Sequence, residues 1–208
     1  MYTLLKPIQI RKELFKRKLK IFTAQEFMRI FQISPRSTKY FLETQVQEGF
    51  LFRLKRGIYT LKTDSPSEEE IANALYKPSY ISFEYALAYY NLLPEMPYIV
   101  TSATTKPTRL FNTSDKSFSY RTIKKEVFTG YVLTKLESKS FLIAEKEKAL
   151  VDYLYFVSLR KASQNERLFE NLNNKGYSQT KRFNKEKINI YTKLFENEKL
   201  FHLVQTFL

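Results

Sequence analysis

Along the first third of the chain the apolar positions keep helical spacing three times and then switch to alternation. Ile10, Leu14, Phe15 and Leu19 share a broad face and Lys12, Lys16, Arg17 and Lys20 lie mostly on the other, which predicts an amphipathic helix from Ile8 to about Lys20. Thr23-Ala24-Gln25-Glu26 has the form of a capping box, in which the Thr23 hydroxyl meets the Glu26 amide and the Glu26 side chain reaches back. The helix it opens should bury Ala24, Phe27, Met28 and Phe31 and stop near Phe31 or Gln32. Ser34-Pro35 repeats the start signal, and a third helix should run to about Glu48 and end at Gly49. At 100° per residue, Thr38, Phe41, Leu42, Gln45 and Val46 fall on one side of it, with Arg36, Lys39, Tyr40, Glu43 and Gln47 opposite. Phe50 to Leu54 and Ile58 to Leu61 then alternate, which predicts a hairpin turning at Arg56-Gly57, because glycine takes positive φ without strain.

Lys62 to Ser67, KTDSPS, is rich in turn formers and marks a boundary. Beyond it, Glu68, Glu69 and Glu70 fit the first turn of a helix, where the dipole favours acids. A helix from Phe83 to about Leu92 carries Phe83, Ala86, Leu87 and Tyr90 at i, i+3, i+4, i+7. Strands are predicted at Tyr98 to Ala103, Ser117 to Thr122, Val127 to Leu133 and Ser140 to Ala144, followed by a helix from Glu145 to about Leu159. From Glu166 onward further helices are expected, with Ile188, Tyr191, Leu194 and Phe195 as one apolar seam and Phe201, Val204, Phe207 and Leu208 as another. The expected class is α+β. Residues 1–64 should form a winged helix-turn-helix and residues 65–208 a mixed α/β domain with C-terminal helices, its core drawing on Phe83, Leu87, Tyr90, Ile99, Val132, Leu150 and Leu154.

Charge sharpens this division. The formal net charge is +14 over 208 residues, and residues 1–64 hold 14 Lys and Arg against 5 Asp and Glu, a net of +9. Such an excess calls for a polyanionic partner. In a winged helix-turn-helix the start of the second helix enters the major groove and the hairpin straddles neighbouring phosphates or the minor groove. Arg36 then suits guanine O6 and N7, Ser37 and Tyr40 suit bases or phosphates, and Lys39, Arg53, Lys55 and Arg56 suit phosphate, with Gly57 forming the turn. Two other readings stay open: such modules also dock proteins, and Glu43 on the exposed face would repel a phosphate backbone. A hairpin can also carry basic residues only for solubility.

The chemistry available elsewhere is sparse. There is no cysteine, which excludes disulfides and thiolate metal sites and fits a reducing cytoplasm. No apolar run approaches the ~20 residues of a membrane span, and the N-terminus lacks a signal-peptide core. The single histidine, His202, lies in an apolar helix, and glycines at 49, 57, 130 and 176 make no phosphate-cradling loop. Glu137-Ser138-Lys139 has an acid-x-lysine spacing that a nuclease would place on a core strand; here it falls at an expected turn. No catalytic residue, metal or cofactor is expected. Lys106, Arg109, Arg121, Lys124 and Lys125 form the densest basic set of the second domain and read as a solvated face or as a contact surface for an acidic partner or nucleic acid.

Three segments carry a family resemblance: LKRGIYTL closing the hairpin, YISFEYALAYYNLLPEMPYIVTSATTKPTR after the boundary, and FLIAEKEKALVDYLYF further on. From about Phe22 to Tyr155 the chain resembles AbiEi-type antitoxins of abortive-infection toxin–antitoxin systems. The resemblance implies a bacterial cytoplasmic repressor that binds inverted repeats in its own promoter and counters a nucleotidyltransferase-fold toxin encoded alongside. The matching positions are Gly57 and Tyr59, Ser82 and the helix after it, Lys106 to Arg109, and the helix with Ala149, Leu150 and Asp152. The lysine-rich region after Tyr177 departs from the pattern. Rival expectations are a winged-helix transcription factor with a ligand-sensing or dimerising second domain and no toxin, and a nuclease guided to DNA.

Overall fold

The computed structural model describes residues 6–136, 139–159 and 183–207 and resolves the chain into two compact units, residues 1–75 and 76–208. Among the described residues there are eight helices and two sheets, a mixed α+β architecture.

The first unit runs α1 (Pro7–Lys16), β1 (Ile21–Thr23), α2 (Ala24–Phe31), α3 (Pro35–Gln47), β2 (Leu51–Lys55), β3 (Ile58–Leu61) and α4 (Glu68–Leu75). Its strands form an antiparallel sheet in the order β1-β3-β2. Local chemistry sets the helix starts. Thr23 and Glu26 close the expected capping box, with the Thr23 N–H donating to the Glu26 carboxylate at 2.7 Å and the Glu26 N–H to the Thr23 hydroxyl at 3.1 Å. Ser34 accepts from the Ser37 N–H at 3.1 Å, and Pro35 occupies the first helical position. Ile10, Leu14, Phe22, Phe27, Leu42, Leu51, Tyr59 and Leu61 make one core. Phe27 is its hub, with ring centroids 5.6 Å from Phe22 and 5.5 Å from Phe41.

Two expectations change in this unit. The first helix stops at Lys16 because Lys18 takes a left-handed φ of +53°, and Phe15, expected on the buried face, is exposed beneath the Arg11 guanidinium at 5.6 Å. The unit also extends beyond Asp64 through α4. The Glu70 carboxylate lies 3.8 Å from the Lys20 ammonium, and the Lys55 ammonium donates to the carbonyl of Leu75, the last residue of α4. The boundary therefore falls after Leu75, and KTDSPS is a loop within the first unit.

The second unit contains β4 (Ser79–Ile81), α5 (Phe83–Tyr89), β5 (Ile99–Thr104), β6 (Arg109–Asn112), β7 (Ser117–Thr122), β8 (Tyr131–Leu136), β9 (Lys139–Ala144), α6 (Lys146–Ser158), α7 (Lys185–Leu194) and α8 (Glu198–Phe207). The six strands lie in the order β6-β7-β5-β4-β9-β8. The β5–β7 and β4–β9 pairs are parallel and the rest antiparallel. The strand expected over Val127 to Leu133 starts at Tyr131, since Lys125–Val127 form a single 3₁₀ turn that buries Val127. Ile99 and Val132, expected in the core, are exposed, whereas Phe83, Leu87, Leu150 and Leu154 are buried. In the C-terminal helices Ile188, Phe195, Leu200 and Val204 are buried, while Leu194 and Phe201 face outward. Residues 160–182, including Gly176, lie outside the described residues.

A buried polar network pins α6 to the sheet. The Asp152 carboxylate accepts from the Ser82 hydroxyl at 2.7 Å and the Tyr80 hydroxyl at 3.0 Å, and it pairs with the Lys148 ammonium. Ser82, Lys148 and Asp152 are all 0% exposed. Opposite charges and two hydroxyls satisfy one another here, and removing one member of such a pair costs about 3–5 kcal/mol. Burial, reinforced by Asp152, pushes the Tyr80 phenol well above its ordinary pKa.

Candidate nucleic-acid interface

The first unit places its exposed cations on α3 and the β2–β3 hairpin. Thr38, Leu42 and Gln45 turn inward from α3, and Phe41 and Val46 pack at the margin of the core. The opposite face, with Arg36, Lys39, Tyr40, Glu43 and Gln47, is exposed, Tyr40 at 74%. The side chains of Arg36, Lys39 and Tyr40 have no hydrogen-bond, ion-pair or ring partner among the described residues. Ser37 is half-buried, and its hydroxyl lies 2.9 Å from that of Ser34, so it serves the helix start. Glu43 remains on the same face, one turn beyond Lys39.

The hairpin separates its three predicted phosphate ligands. Arg53 and Arg56 are exposed without a partner among the described residues. Lys55 is not available in that way: the register slips between Arg53 and Lys55, and its half-buried ammonium is held at the C-terminal end of α4. Carbonyls at a helix end carry partial negative charge, which explains why a lysine settles there. Gly57 has φ +82° with open space where a Cβ would stand, as the turn requires. Its carbonyl accepts from the Ala24 N–H at 3.1 Å, tying the turn to the start of α2. One cation escaped the sequence reading: Arg29, exposed on α2, lines an open groove with Arg17, Leu19, Glu26 and Ile30. Its position as the polar member of a capped helix was the signal available.

The basic set of the second unit is divided between two faces of one sheet. Arg121 donates to Glu84 at 2.9 Å and lies 4.8 Å from the Phe83 ring centroid and 5.6 Å from that of Phe156, so α5 and α6 claim its charge. It is thus removed from the predicted contact surface. Arg109 pairs across the sheet with Tyr120, the neighbour of Arg121, and so points to the opposite face. Lys106 and Arg109 are exposed over rings, Lys106 5.5 Å from Tyr76 and Arg109 5.3 Å from Phe111. Lys124 and Lys125 are exposed at the 3₁₀ turn. His202 is exposed beside Phe201. Glu137 and Ser138 lie outside the described residues.

No protein-family model matches the chain, and no curated protein matches it. Among the described residues no helix is long and apolar enough to cross a membrane.

Proposed function

We propose that the first unit is a winged helix-turn-helix that binds double-stranded DNA at the chain's own operator, and that the protein is a cytoplasmic, non-enzymatic transcriptional repressor and antitoxin of the AbiEi type. The observation that carries the DNA reading is the outer face of α3, where Arg36, Lys39 and Tyr40 stand exposed without internal partners on a helix whose other face is locked into the core. In this reading α2 and α3, joined through Gln32-Ile33-Ser34, are the helix-turn-helix, and β2 and β3 are the wing. A recognition helix needs both properties, a rigid seat and unspent donors. Arg53 and Arg56 add phosphate ligands, and Glu43 disfavours phosphate at the C-terminal half of α3, which fits a helix that enters the groove by its N-terminal end. The antitoxin half of the proposal, countering a nucleotidyltransferase-fold toxin, rests on the resemblance of residues 22–155.

The test is titration of Arg36→Ala on the duplex upstream of the gene and on a random duplex. A base-reading arginine loses about 1–3 kcal/mol on the cognate site and little on the random one. Equal losses on both would remove Arg36 from base readout, and no binding to either duplex by the intact chain would end the DNA reading.

A further inference from the structure

The outer end of the second unit's sheet carries three ring–cation pairs. Lys106 lies 5.5 Å from the Tyr76 centroid, Arg109 5.3 Å from Phe111, and Lys116 5.3 Å from Tyr98. Strand register puts them on one face. Arg109 and Phe111 are the cross-strand partners of Tyr120 and Phe118, Val100 is the parallel partner of Phe118, and Tyr98 precedes Val100 by one strand period. Tyr76 joins the row by packing against both Tyr120, at 5.2 Å, and Phe111, at 5.7 Å. The phenols are anchored, since Tyr76 donates to the Pro107 carbonyl at 3.1 Å and Tyr98 to the Asp115 carbonyl at 3.0 Å. On this face Val100, Phe118 and Tyr120 are themselves buried, so the three pairs stand around a buried patch, with Arg109 and Phe111 on the edge strand β6. Between Tyr98 and Lys125 the sequence holds six lysines and arginines and one acid, Asp115.

We infer that this row is a binding surface for single-stranded nucleic acid, distinct from the duplex-binding surface of the first unit. Positive charge alone would serve an acidic protein equally well. Ring–cation pairs gathered at the edge of the sheet do more: a phosphate meets each cation, and an unstacked base finds a ring face or a guanidinium plane beside it. A duplex keeps its bases stacked inside and cannot use the rings. Tyr98, 64% exposed, is the ring best placed for a base, and Arg109 is the cation able to offer both charge and a plane.

The experiment uses the full chain with fluorescent twelve-nucleotide oligo(U) and oligo(dT), a random duplex and poly-glutamate, in wild type, Tyr98→Ala, Arg109→Ala and Arg36→Ala. Both single strands should bind. Tyr98→Ala and Arg109→Ala should each weaken them about tenfold, within the range expected for loss of one base stack, while duplex affinity stays within about twofold. Arg36→Ala should leave single-strand binding unchanged, so the surface stands or falls separately from the duplex reading. A preference for oligo(U) over oligo(dT) would assign the site to RNA, and the reverse preference or parity would assign it to any single strand. Single-strand binding that is absent, or unaffected by both sheet variants, overturns the inference. So does loss of poly-glutamate binding alone, which would make the row a docking face for an acidic protein.

Discussion

Gly57 and Gly130 have nearly the same backbone conformation, φ +82° and +73°, in different surroundings, and replacing each with alanine separates backbone strain from packing. A left-handed non-glycine residue costs about 1–2 kcal/mol. At Gly57 nothing lies within 4 Å of the new Cβ, so that cost is the whole effect. At Gly130 the Cβ would stand 2.7 Å from two atoms of the Tyr191 ring and 3.0 Å from Lys148 Cγ. Neither neighbour has room to retreat: the Tyr191 hydroxyl donates to Glu145 at 2.9 Å, and Lys148 is fixed in the buried pair with Asp152. Overpacking adds about 1–3 kcal/mol, which brings Gly130→Ala to about 2–5 kcal/mol. Calorimetry of both variants should show a small loss for Gly57→Ala and a clearly larger one for Gly130→Ala. In a double-mutant cycle with Tyr191→Ala, part of the Gly130→Ala loss should return as a coupling of about 1–3 kcal/mol. Equal losses at the two glycines, or no coupling to Tyr191, would refute the close approach of α7 to Gly130.

Three further outcomes are expected. Arg56→Ala should lower the salt slope of duplex binding by about one unit, whereas Lys55→Ala should leave the slope nearly unchanged and lower the melting temperature of the first unit, because its ammonium holds the end of α4; a slope change in Lys55→Ala equal to that in Arg56→Ala would contradict this. Tyr90 and Tyr191 are both pushed up to about 12, by burial first. Raised folded-state values stabilise below the ordinary tyrosine pKa near 10 and lose that contribution as pH climbs toward 12, so absorbance at 295 nm and circular dichroism should show phenol ionisation and loss of structure together in that window, with a smaller alkaline loss in Tyr191→Phe. Finally, on the antitoxin proposal, residues 76–208 expressed alone should fold and rescue cells from the proposed toxin without repressing the promoter; rescue and repression that rise and fall together across the fragment and Arg36→Ala would favour the plain repressor.

The first unit was legible in the sequence because its signals are local. A capping box at Thr23, a Ser-Pro start at Ser34 and a glycine after α3 fix helix ends within a few residues, and α3's two faces follow from periodicity alone. The short strands β1 and β4, three residues each, were not legible, since they exist only by pairing with partners distant in sequence, Phe22 with Tyr59 and Tyr80 with Ala103. The same limit governs the cations. Arg36 and Lys39 owe their exposure to a helix face, which sequence period reveals. Lys55 and Arg121 look identical to their neighbours in the sequence, and only tertiary structure brings one to the carbonyl of Leu75 and the other to Glu84 and two phenyl rings. A basic run therefore bounds the number of cations available to a polyanion from above, and helix ends and carboxylates within the fold decide which of them remain. In the second unit that selection leaves Lys106, Arg109 and Lys116 paired with rings, a combination that charge counting passes over because the rings are contributed by Tyr76, Phe111 and Tyr98, on a loop, a strand and a strand approach that only the sheet brings together.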